Sequence, residues 1–253
     1  SSTSRGLGDV YKRQEYHLSS RNMKALFTGK TEHLRHFDPH IVELEMDQGL
    51  KGYENKEAIR LPNPEILQMP LDEVMEKRRS RRDFKSYKIT LKELSTLLFY
   101  SAGYKRSEHS GRKHVPSSGG FCTTEVFFVI LNSDEVEPGL YYFSANDFTI
   151  RCIRKGDYRD WVRYDALYQS EWADASVIIF LAGDYSRLYQ KYRHRTLRLC
   201  LLDAGHVAQN LYLTCAAMDM KICEVLGYVE NEVEEAFDLS GNTPTFSSIV
   251  IGR

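Results

Sequence analysis

A chain of 253 residues with 42% hydrophobic and 27% charged residues has the composition of a soluble globular protein with one large domain. Its formal net charge of -1 gives no overall positive field of the kind that nucleic-acid-binding proteins carry. Its unbroken apolar runs, at residues 126–131 and 177–182, are far shorter than the roughly 20 residues of a membrane-spanning helix. We therefore expect a cytoplasmic protein that binds neither nucleic acid nor a membrane.

The first 62 residues are predicted to lie outside the main domain. Residues 9–14 match the translation of a transposon end used in sequencing libraries, so residues 1–14 are interpreted as non-native sequence. Residues 15–62 are a polar appendage with a short helix near 22–27, and a Pro-Asn-Pro turn leads into a domain over 63–253, for which truncation at the C-terminus is one hypothesis. His33, His36 and His40 are interrupted by Pro39 and lack further ligands, so no metal site is predicted.

Cysteine usage indicates a reducing compartment. Three of the five cysteines lie in apolar surroundings, no C-x-x-C pair is present, and no secretory signal precedes them. We therefore expect reduced core thiols among Cys122, Cys152, Cys200, Cys215 and Cys223, at the three positions in apolar surroundings.

The first candidate binding element is the segment 78–84, which follows an amphipathic stretch at 71–77. Arg78, Arg79, Ser80, Arg81 and Arg82 place four like charges side by side, and these repel one another unless an anion lies among them. Guanidinium groups grip phosphate in a fixed fork, and a serine hydroxyl adds a donor. The segment indicates either a phosphate site or a solvated basic helix end, which the helix dipole also favours.

The periodicity of the remaining chain predicts interleaved strands and helices. Thr90 and Glu93 form a capping-box pattern for a helix that ends at Gly103. Strands are predicted at 125–132, 140–143, 148–153, 176–183 and 245–252, and helices over 186–220, with room for a break, and over 230–239. We therefore expect an α+β fold with a central, mostly antiparallel sheet flanked by helices.

A basic loop over 104–120 ends in Pro116-Ser117-Ser118-Gly119-Gly120, directly before the first long strand. A mobile surface loop would account for the basic part but not for this ending. Two hydroxyls and two glycines let backbone and side-chain groups approach a ligand closely.

Two stretches in the long helical region carry titratable groups. Lys191 beside Tyr192 could serve as an acid/base pair, because a phenol relays a proton, but an amphipathic helix start with a basic outer face is the more frequent reason for such a pattern. The small residues Ala204, Gly205 and Ala208 permit close approach of a helix or a flat ligand. His206 is either a candidate base or a buried histidine with satisfied hydrogen bonds.

Taken together and in this order, these segments resemble the SagB-type dehydrogenases of the nitroreductase superfamily. The resemblance covers roughly residues 71–253 and rests on the arginine segment, on Pro116-Ser117-Ser118-Gly119, on 191–198 and on 205–211. It implies a homodimer of α+β subunits that holds FMN at each end of the subunit interface. It also implies a base and a proton relay at Lys191 and Tyr192 for the oxidation of thiazoline and oxazoline rings in ribosomally made peptides, with a cyclase as a further partner.

The resemblance assigns the cofactor contacts residue by residue. The FMN phosphate and ribityl chain would contact Arg78, Arg79, Ser80 and Arg82. The turn of Pro116, Ser117, Ser118 and Gly119 would reach the flavin from the partner subunit, and the backbone at Gly227 would face the isoalloxazine edge. The chain departs from the family pattern at 121–124, where an aliphatic-tyrosine-proline segment is common, and at Glu224 and Val229.

Two alternatives stay open from the sequence. One is an enzyme of the same fold that uses a nicotinamide to reduce nitro compounds, quinones or flavin. The other is a non-catalytic subunit that keeps the fold to hold a peptide or a partner enzyme. The Lys191-Tyr192 pair favours azoline oxidation over the first, whereas the altered 121–124 segment keeps the second open.

Overall fold

The computed structural model describes residues 15–20, 52–106 and 111–253. Seven strands in these ranges form one sheet in the order β1-β4-β3-β2-β5-β7-β6, and every neighbouring pair is antiparallel. The strands are β1 (Ala58–Arg60), β2 (Thr124–Ile130), β3 (Gly139–Ser144), β4 (Thr149–Lys155), β5 (Val177–Gly183), β6 (Lys221–Val225) and β7 (Thr245–Gly252). The predicted α+β fold with an antiparallel sheet is confirmed.

Helices cover both faces of this sheet. They are α1 (Leu71–Lys77), α2 (Leu91–Ala102), α3 (Arg159–Trp161), α4 (Tyr185–Tyr192), α5 (Thr196–Ala217) and α6 (Glu230–Ala236). Strand β2 shows why two layers form, since Phe128 and Ile130 pack in one core with α2 and α5, whereas Phe127 and Val129 pack in the other with α6. A strand buried on both faces needs the continuous apolar run that the sequence shows.

Local signals set the helix boundaries where the sequence predicts them. Thr90 accepts a hydrogen bond from the Glu93 backbone and Glu93 accepts one from the Thr90 backbone, so the capping box at α2 is confirmed, as is its end at Gly103. The break in the helical region 186–220 is real and lies between α4 and α5, where Arg193 has a φ of 48°. This bend separates the short helix with Lys191 and Tyr192 from the long α5.

Two strands escape sequence-based prediction. The three residues of β1 pair with β4 and lie inside the range 15–62, and β6 lies at the opposite edge of the sheet. The boundary of the predicted domain at residue 63 stays a prediction. The predicted helix at 22–27, the histidines His33, His36 and His40, and residues 1–14 lie outside the described residues.

The remaining global expectations concern thiols and helices. All five cysteines are buried and free. Among the described residues, no helix combines the length and the apolarity that a membrane crossing requires.

Candidate active site

The arginine segment runs in an open conformation along the sheet edge. Helix α1 ends at Lys77 with Arg78 as its C-cap, and the chain then passes β6, where the Arg81 backbone N–H donates to the Ile222 carbonyl at 2.9 Å. Arg79, Ser80 and Arg82 are exposed, and Arg78 is half-buried. The segment therefore presents a row of guanidinium groups beside the edge strand β6.

The arginines of this segment form no close ion pair within the described residues. Within the described ranges, no carboxylate forms an ion pair with Arg78, Arg79, Arg81 or Arg82. Asp83, the acid nearest in sequence, accepts instead from the Lys221 ammonium at 2.8 Å, and this hydrogen bond holds the pKa of the Asp83 carboxyl below its usual range. A cluster of guanidinium groups without acidic partners fits a bound phosphate better than a purely structural role.

A tyrosine of α5 ties the arginine segment to the loop after β6. The Tyr212 hydroxyl lies 2.9 Å from Ser80 Oγ and accepts from the Glu224 backbone N–H at 2.8 Å, while the Arg78 guanidinium lies 5.6 Å from the centre of the Tyr212 ring. Gly227 follows Glu224 by three residues, a span of about 10 Å at most. The structure thus brings Ser80, Arg78 and the Gly227 loop to one end of α5.

The Gly227 loop is flanked by an aromatic segment. The Gly227 carbonyl accepts from the Tyr168 backbone N–H at 3.1 Å, and a Cβ at Gly227 would lie 3.3 Å from the Tyr168 ring. Leu226 and Tyr168 are both largely exposed, with 71% and 73% of their surface accessible. This region therefore exposes two large apolar side chains beside the Gly227 backbone.

The serine–glycine turn lies at the other end of α5, against Asp203. Ser117 Oγ donates to the Asp203 carboxylate at 3.0 Å, and Ser118 donates through both its backbone N–H and its Oγ at 2.9 Å. Ser117 Oγ also accepts from the Cys122 backbone N–H at 2.8 Å. The hydroxyl protons of both serines are therefore directed into the subunit, so their predicted contact with a cofactor would use other atoms of the turn.

The lysine–tyrosine pair stands over this turn. Gly119 has a φ of 64°, and a Cβ built on it would lie only 2.7 Å from Tyr192 Oη, so only a glycine leaves room for the phenol. The Lys191 ammonium lies 5.5 Å from the centre of the Phe121 ring and 5.4 Å from that of Tyr192. The structure thus places both predicted catalytic residues beside the predicted ligand-binding turn.

The ionisation of Tyr192 responds to its surroundings. Burial raises the pKa of the Tyr192 phenol, the negative charge of Asp203 raises it further, and the positive charge of Arg195 opposes this. The phenol is therefore neutral and able to donate a proton around neutral pH.

A buried ionic network holds α4, and with it Lys191, in place. The Arg187 guanidinium pairs with Glu125 of β2 and, at 2.8 Å, with Asp184 at the start of α4. Burial alone would raise the pKa of Asp184, but hydrogen bonds from Ser186 and the charge of Arg187 outweigh it and lower the pKa. Breaking such a pair leaves an uncompensated buried charge, so the network fixes the helix on the sheet.

The two groups of residues lie apart within one subunit. Asp203, beside the serine–glycine turn, and Tyr212, beside the arginine segment, are nine residues apart on α5, which corresponds to about 13.5 Å and two and a half turns. Their side chains therefore project from opposite sides of the helix. A single copy of the described chain does not bring the arginines to the turn.

The outer face of α5 is partly apolar. Leu197, Leu201, Ala204, Ala208, Leu211 and Cys215 repeat at intervals of three and four residues, but only Ala204, Ala208, Leu211 and Cys215 of that set are buried. Leu201 is 45% exposed because its position faces away from the sheet, and Leu202, Gly205 and His206 are exposed beside it. His206 is therefore not a buried core histidine in this subunit.

Three residues that organise the site have no assigned role in the sequence-based prediction. Asp203 holds the serine–glycine turn, Tyr212 holds the arginine segment, and Arg187 holds α4. Asp203 and Arg187 do carry a weak signal, since a charged residue within an apolar pattern needs a partner. Nothing local identifies the partner. Groups of three or more metal-ligating side chains are absent from the described part of the chain.

Comparison with known proteins agrees with this architecture. Residues 75–253 match the sequence profile of the Nitroreductase family. A curated protein of Methanocaldococcus jannaschii that is named as a nitroreductase is 31% identical over 179 residues, which cover 71% of this chain and 89% of the relative. The trifolitoxin operon protein TfxC of Rhizobium leguminosarum bv. trifolii is 22% identical, with 62% of this chain and 48% of TfxC covered.

Solved structures show the same fold at low identity. A nitroreductase structure from Anabaena variabilis has a TM-score of 0.69 at 22% identity, over 79% of this chain and 42% of that one, so the present chain spans less than half of that protein. A chain of the E. coli microcin synthetase McbBCD complex with truncated pro-MccB17 bound has a TM-score of 0.59 at 17% identity, over 88% and 96%. A nitroreductase in complex with FMN from Exiguobacterium sibiricum has a TM-score of 0.53 at 16% identity, over 74% and 90%.

Proposed function

Because this chain belongs to the nitroreductase family, we propose that it is an FMN-dependent oxidoreductase that oxidises azoline rings in a ribosomally made peptide. The observation that supports this most directly is the position of Lys191 and Tyr192, whose ammonium and phenol groups stand at the serine–glycine turn. A fold that only bound a flavin would not need an acid/base pair at that place.

The donor set of the described residues fits FMN. Arg78, Arg79 and Arg82 supply guanidinium groups without acidic partners for the phosphate, and Ser80 adds a hydroxyl. The Gly227 backbone and the turn of Pro116 to Gly119 would contact the remainder of the cofactor. When bound, FMN supplies the acceptor for the hydride that leaves the substrate ring.

The protein's own groups handle the proton. Oxidation of a thiazoline or oxazoline to the aromatic ring removes a hydride from one ring carbon and a proton from its neighbour. Lys191 Nζ, as the neutral amine, is the base that takes this proton and becomes an ammonium, and Tyr192 Oη, beside Gly119, relays the proton towards solvent. The aromatic rings of Phe121 and Tyr192 stabilise the ammonium formed in this step by cation–π attraction.

A peptide substrate is supported by two relatives of known context. One is a protein of the trifolitoxin operon, and the other is a chain of a microcin synthetase complex with truncated pro-MccB17 bound. We propose a peptide substrate for this chain by analogy with them, and a cyclase partner from its resemblance to the SagB-type dehydrogenases. The exposed Leu226 and Tyr168 beside Gly227 are suited to contact such a peptide.

A homodimer is the proposed assembly. The outer face of α5 exposes Leu201, Leu202 and Gly205, an apolar strip with room for a close partner helix. A second copy on this face could supply its serine–glycine turn to the arginine segment of the first, which one copy alone does not do. Two equivalent sites per dimer would result.

Two measurements test the proposal. The purified full chain should show the flavin absorbance of one bound FMN per subunit and, with a synthetic thiazoline peptide and an electron acceptor, convert it with loss of two hydrogen atoms by mass spectrometry. Protein that takes up no FMN would contradict the enzyme assignment and support the non-catalytic, peptide-binding homologue.

The 31% identity to a protein named as a nitroreductase favours a second candidate, reduction of nitro compounds by a nicotinamide. FMN-loaded protein that oxidises NADH or NADPH in the presence of a nitroaromatic compound, and leaves the thiazoline peptide unchanged, would select it.

A further inference from the structure

The Asp203 carboxylate is an unusual group for the side of a buried helix. It is 4% exposed, and no lysine, arginine or histidine among the described residues forms an ion pair with it. The carboxylate is instead stabilised by three hydrogen bonds, all from the serine–glycine turn: from Ser117 Oγ, Ser118 N–H and Ser118 Oγ. A buried carboxylate is tolerated only where donors satisfy it, so the turn and Asp203 depend on each other.

This arrangement fixes the turn on both sides of Gly119. Before it, Ser117 and Ser118 are bonded to Asp203; after it, the Gly120 N–H donates to the Ser117 carbonyl at 3.1 Å. Gly119 is the residue whose missing Cβ leaves space for Tyr192 Oη. A change at Asp203 would therefore move the surface on which the phenol rests, although no hydrogen bond joins Asp203 to Tyr192.

The negative charge of Asp203 also influences Tyr192, because it favours the neutral form of the phenol. The groups that face Tyr192 are Asp203 from α5, Arg195 from the turn between the helices, and Lys191 on its own helix. Burial raises the pKa of Tyr192 first, and Asp203 adds to the rise. The carboxylate thus keeps the phenol protonated to a higher pH than burial alone would.

We infer that Asp203 is the positioning residue of the site: it holds the serine–glycine turn in its ligand-binding shape and, through Gly119, holds the Tyr192 hydroxyl. This inference rests on the proposed function for its cofactor, but the link between Asp203 and Tyr192 concerns residues of this chain alone. The residue acts through the turn and need not touch substrate or cofactor.

The Asp203→Asn variant of the full chain tests this with two readouts. The amide keeps the shape but loses the charge and one acceptor, so FMN affinity, measured by quenching of flavin fluorescence, should fall about tenfold, as expected for one charge-assisted hydrogen bond. The Tyr192 pKa, measured as the difference in phenolate absorbance between each protein and its Tyr192→Phe counterpart, should shift to lower pH.

Glu234→Gln is the matched control, because Glu234 accepts from the backbone N–H and the hydroxyl of Thr245, as Asp203 does from Ser118, but away from the turn. It should lower stability without altering either readout. Asp203→Asn with unchanged FMN affinity and an unchanged Tyr192 titration would overturn the inference. If Asp203→Asn does not fold, Ser118→Ala decides by FMN affinity alone, because it removes one donor to the carboxylate but keeps the charge of Asp203; unchanged affinity would then overturn the inference.

The two proposals fail separately. A wild-type chain that binds no FMN would contradict the proposed function, while the Tyr192 titration would still test the Asp203 inference. A wild-type chain that binds FMN, together with an Asp203→Asn variant that matches it in both readouts, would contradict only the inference.

Discussion

The arginine segment and the serine–glycine turn differ in how far the subunit itself completes them. Around the turn, the serine hydroxyls, the Asp203 carboxylate and the Tyr192 phenol are held by contacts within one chain. Along the arginine segment, Arg79 and Arg82 are exposed and have no acidic partner in the described ranges. The turn is thus fixed by contacts within the subunit, whereas we propose that the arginine segment gains its partner from a bound phosphate.

This difference predicts different consequences of substitution. Changes at the turn should alter geometry and turnover even when the cofactor stays bound, because the turn shapes the acid/base pair. Changes in the arginine segment should alter cofactor affinity and leave the folded subunit almost unaffected, because exposed charges contribute little to stability.

The largest effect is expected from Lys191→Ala. Removal of the base should lower azoline oxidation by about 10²–10⁴-fold, the usual contribution of general acid–base catalysis, with the bound flavin absorbance unchanged. Turnover of a thiazoline peptide by the FMN-loaded variant measures this. Lys155→Ala is the control, since Lys155 is an exposed lysine paired with Glu57 and Glu137 away from the site. Wild-type turnover in Lys191→Ala would remove the proposed proton transfer.

Arg82→Ala should act on affinity instead. Loss of one charged hydrogen bond to phosphate, about 1.5–3 kcal/mol, corresponds to FMN binding weaker by roughly 10–100-fold, and added salt should weaken it further. Titration with FMN at low and high salt measures both effects. Lys77→Ala removes a nearby exposed cation that is already paired with Asp219, and it should bind FMN like the wild type. Equal affinity of Arg82→Ala and Lys77→Ala would place the phosphate elsewhere.

The sequence predicts those elements of the fold whose signals are local and strong. Strands such as β2 and β5 are buried on both faces, so an unbroken apolar run identifies them, and the capping box of α2 is a local pattern. Strand β6 is a short edge strand with Lys221 and Glu224 in it, so its alternation is weak, and β1 has only three residues.

The candidate site could be predicted as residue types but not as contacts. The sequence indicates the arginine segment, the serine–glycine turn and the Lys191-Tyr192 pair, because each is a local cluster. The hydrogen bonds of Asp203 to Ser117 and Ser118 join residues more than eighty positions apart, and no periodicity encodes such a pairing. The positive φ of Arg193, which separates α4 from α5, likewise could not be located from the sequence, because the residue is not a glycine.

Gly119→Ala tests the serine–glycine turn, and we expect it to cause a moderate loss of stability. Its φ of 64° is strained for alanine by about 1–2 kcal/mol, and the added Cβ would also displace the Tyr192 hydroxyl. Both the unfolding free energy and the rate of azoline oxidation should therefore fall. Gly52→Ala separates the two causes, because Gly52 also has a positive φ but nothing lies within 4 Å of its Cβ position. If both variants lose stability and neither loses turnover, the Tyr192 contact has no catalytic role.

The smallest effect is expected from Gly205→Ala, on the outer face of α5. A glycine inside a helix costs about 0.5–1 kcal/mol relative to alanine, and nothing lies within 4 Å of its Cβ position in the subunit. An isolated subunit should therefore become more stable, and its Tm should rise by a few degrees at low protein concentration.

In the proposed homodimer the same methyl group would point at the partner helix, where only a small residue permits close approach. The gain in Tm should therefore shrink as protein concentration rises, since association stabilises the wild type more than the variant. Thermal unfolding at low and high concentration, with sedimentation to follow the dimer, measures this. Ser86→Ala, on an exposed residue before α2, serves as a control without concentration dependence. A Gly205→Ala gain that is equal at both concentrations would show that this face of α5 stays uncovered, and the arginine segment would then need another route to the turn.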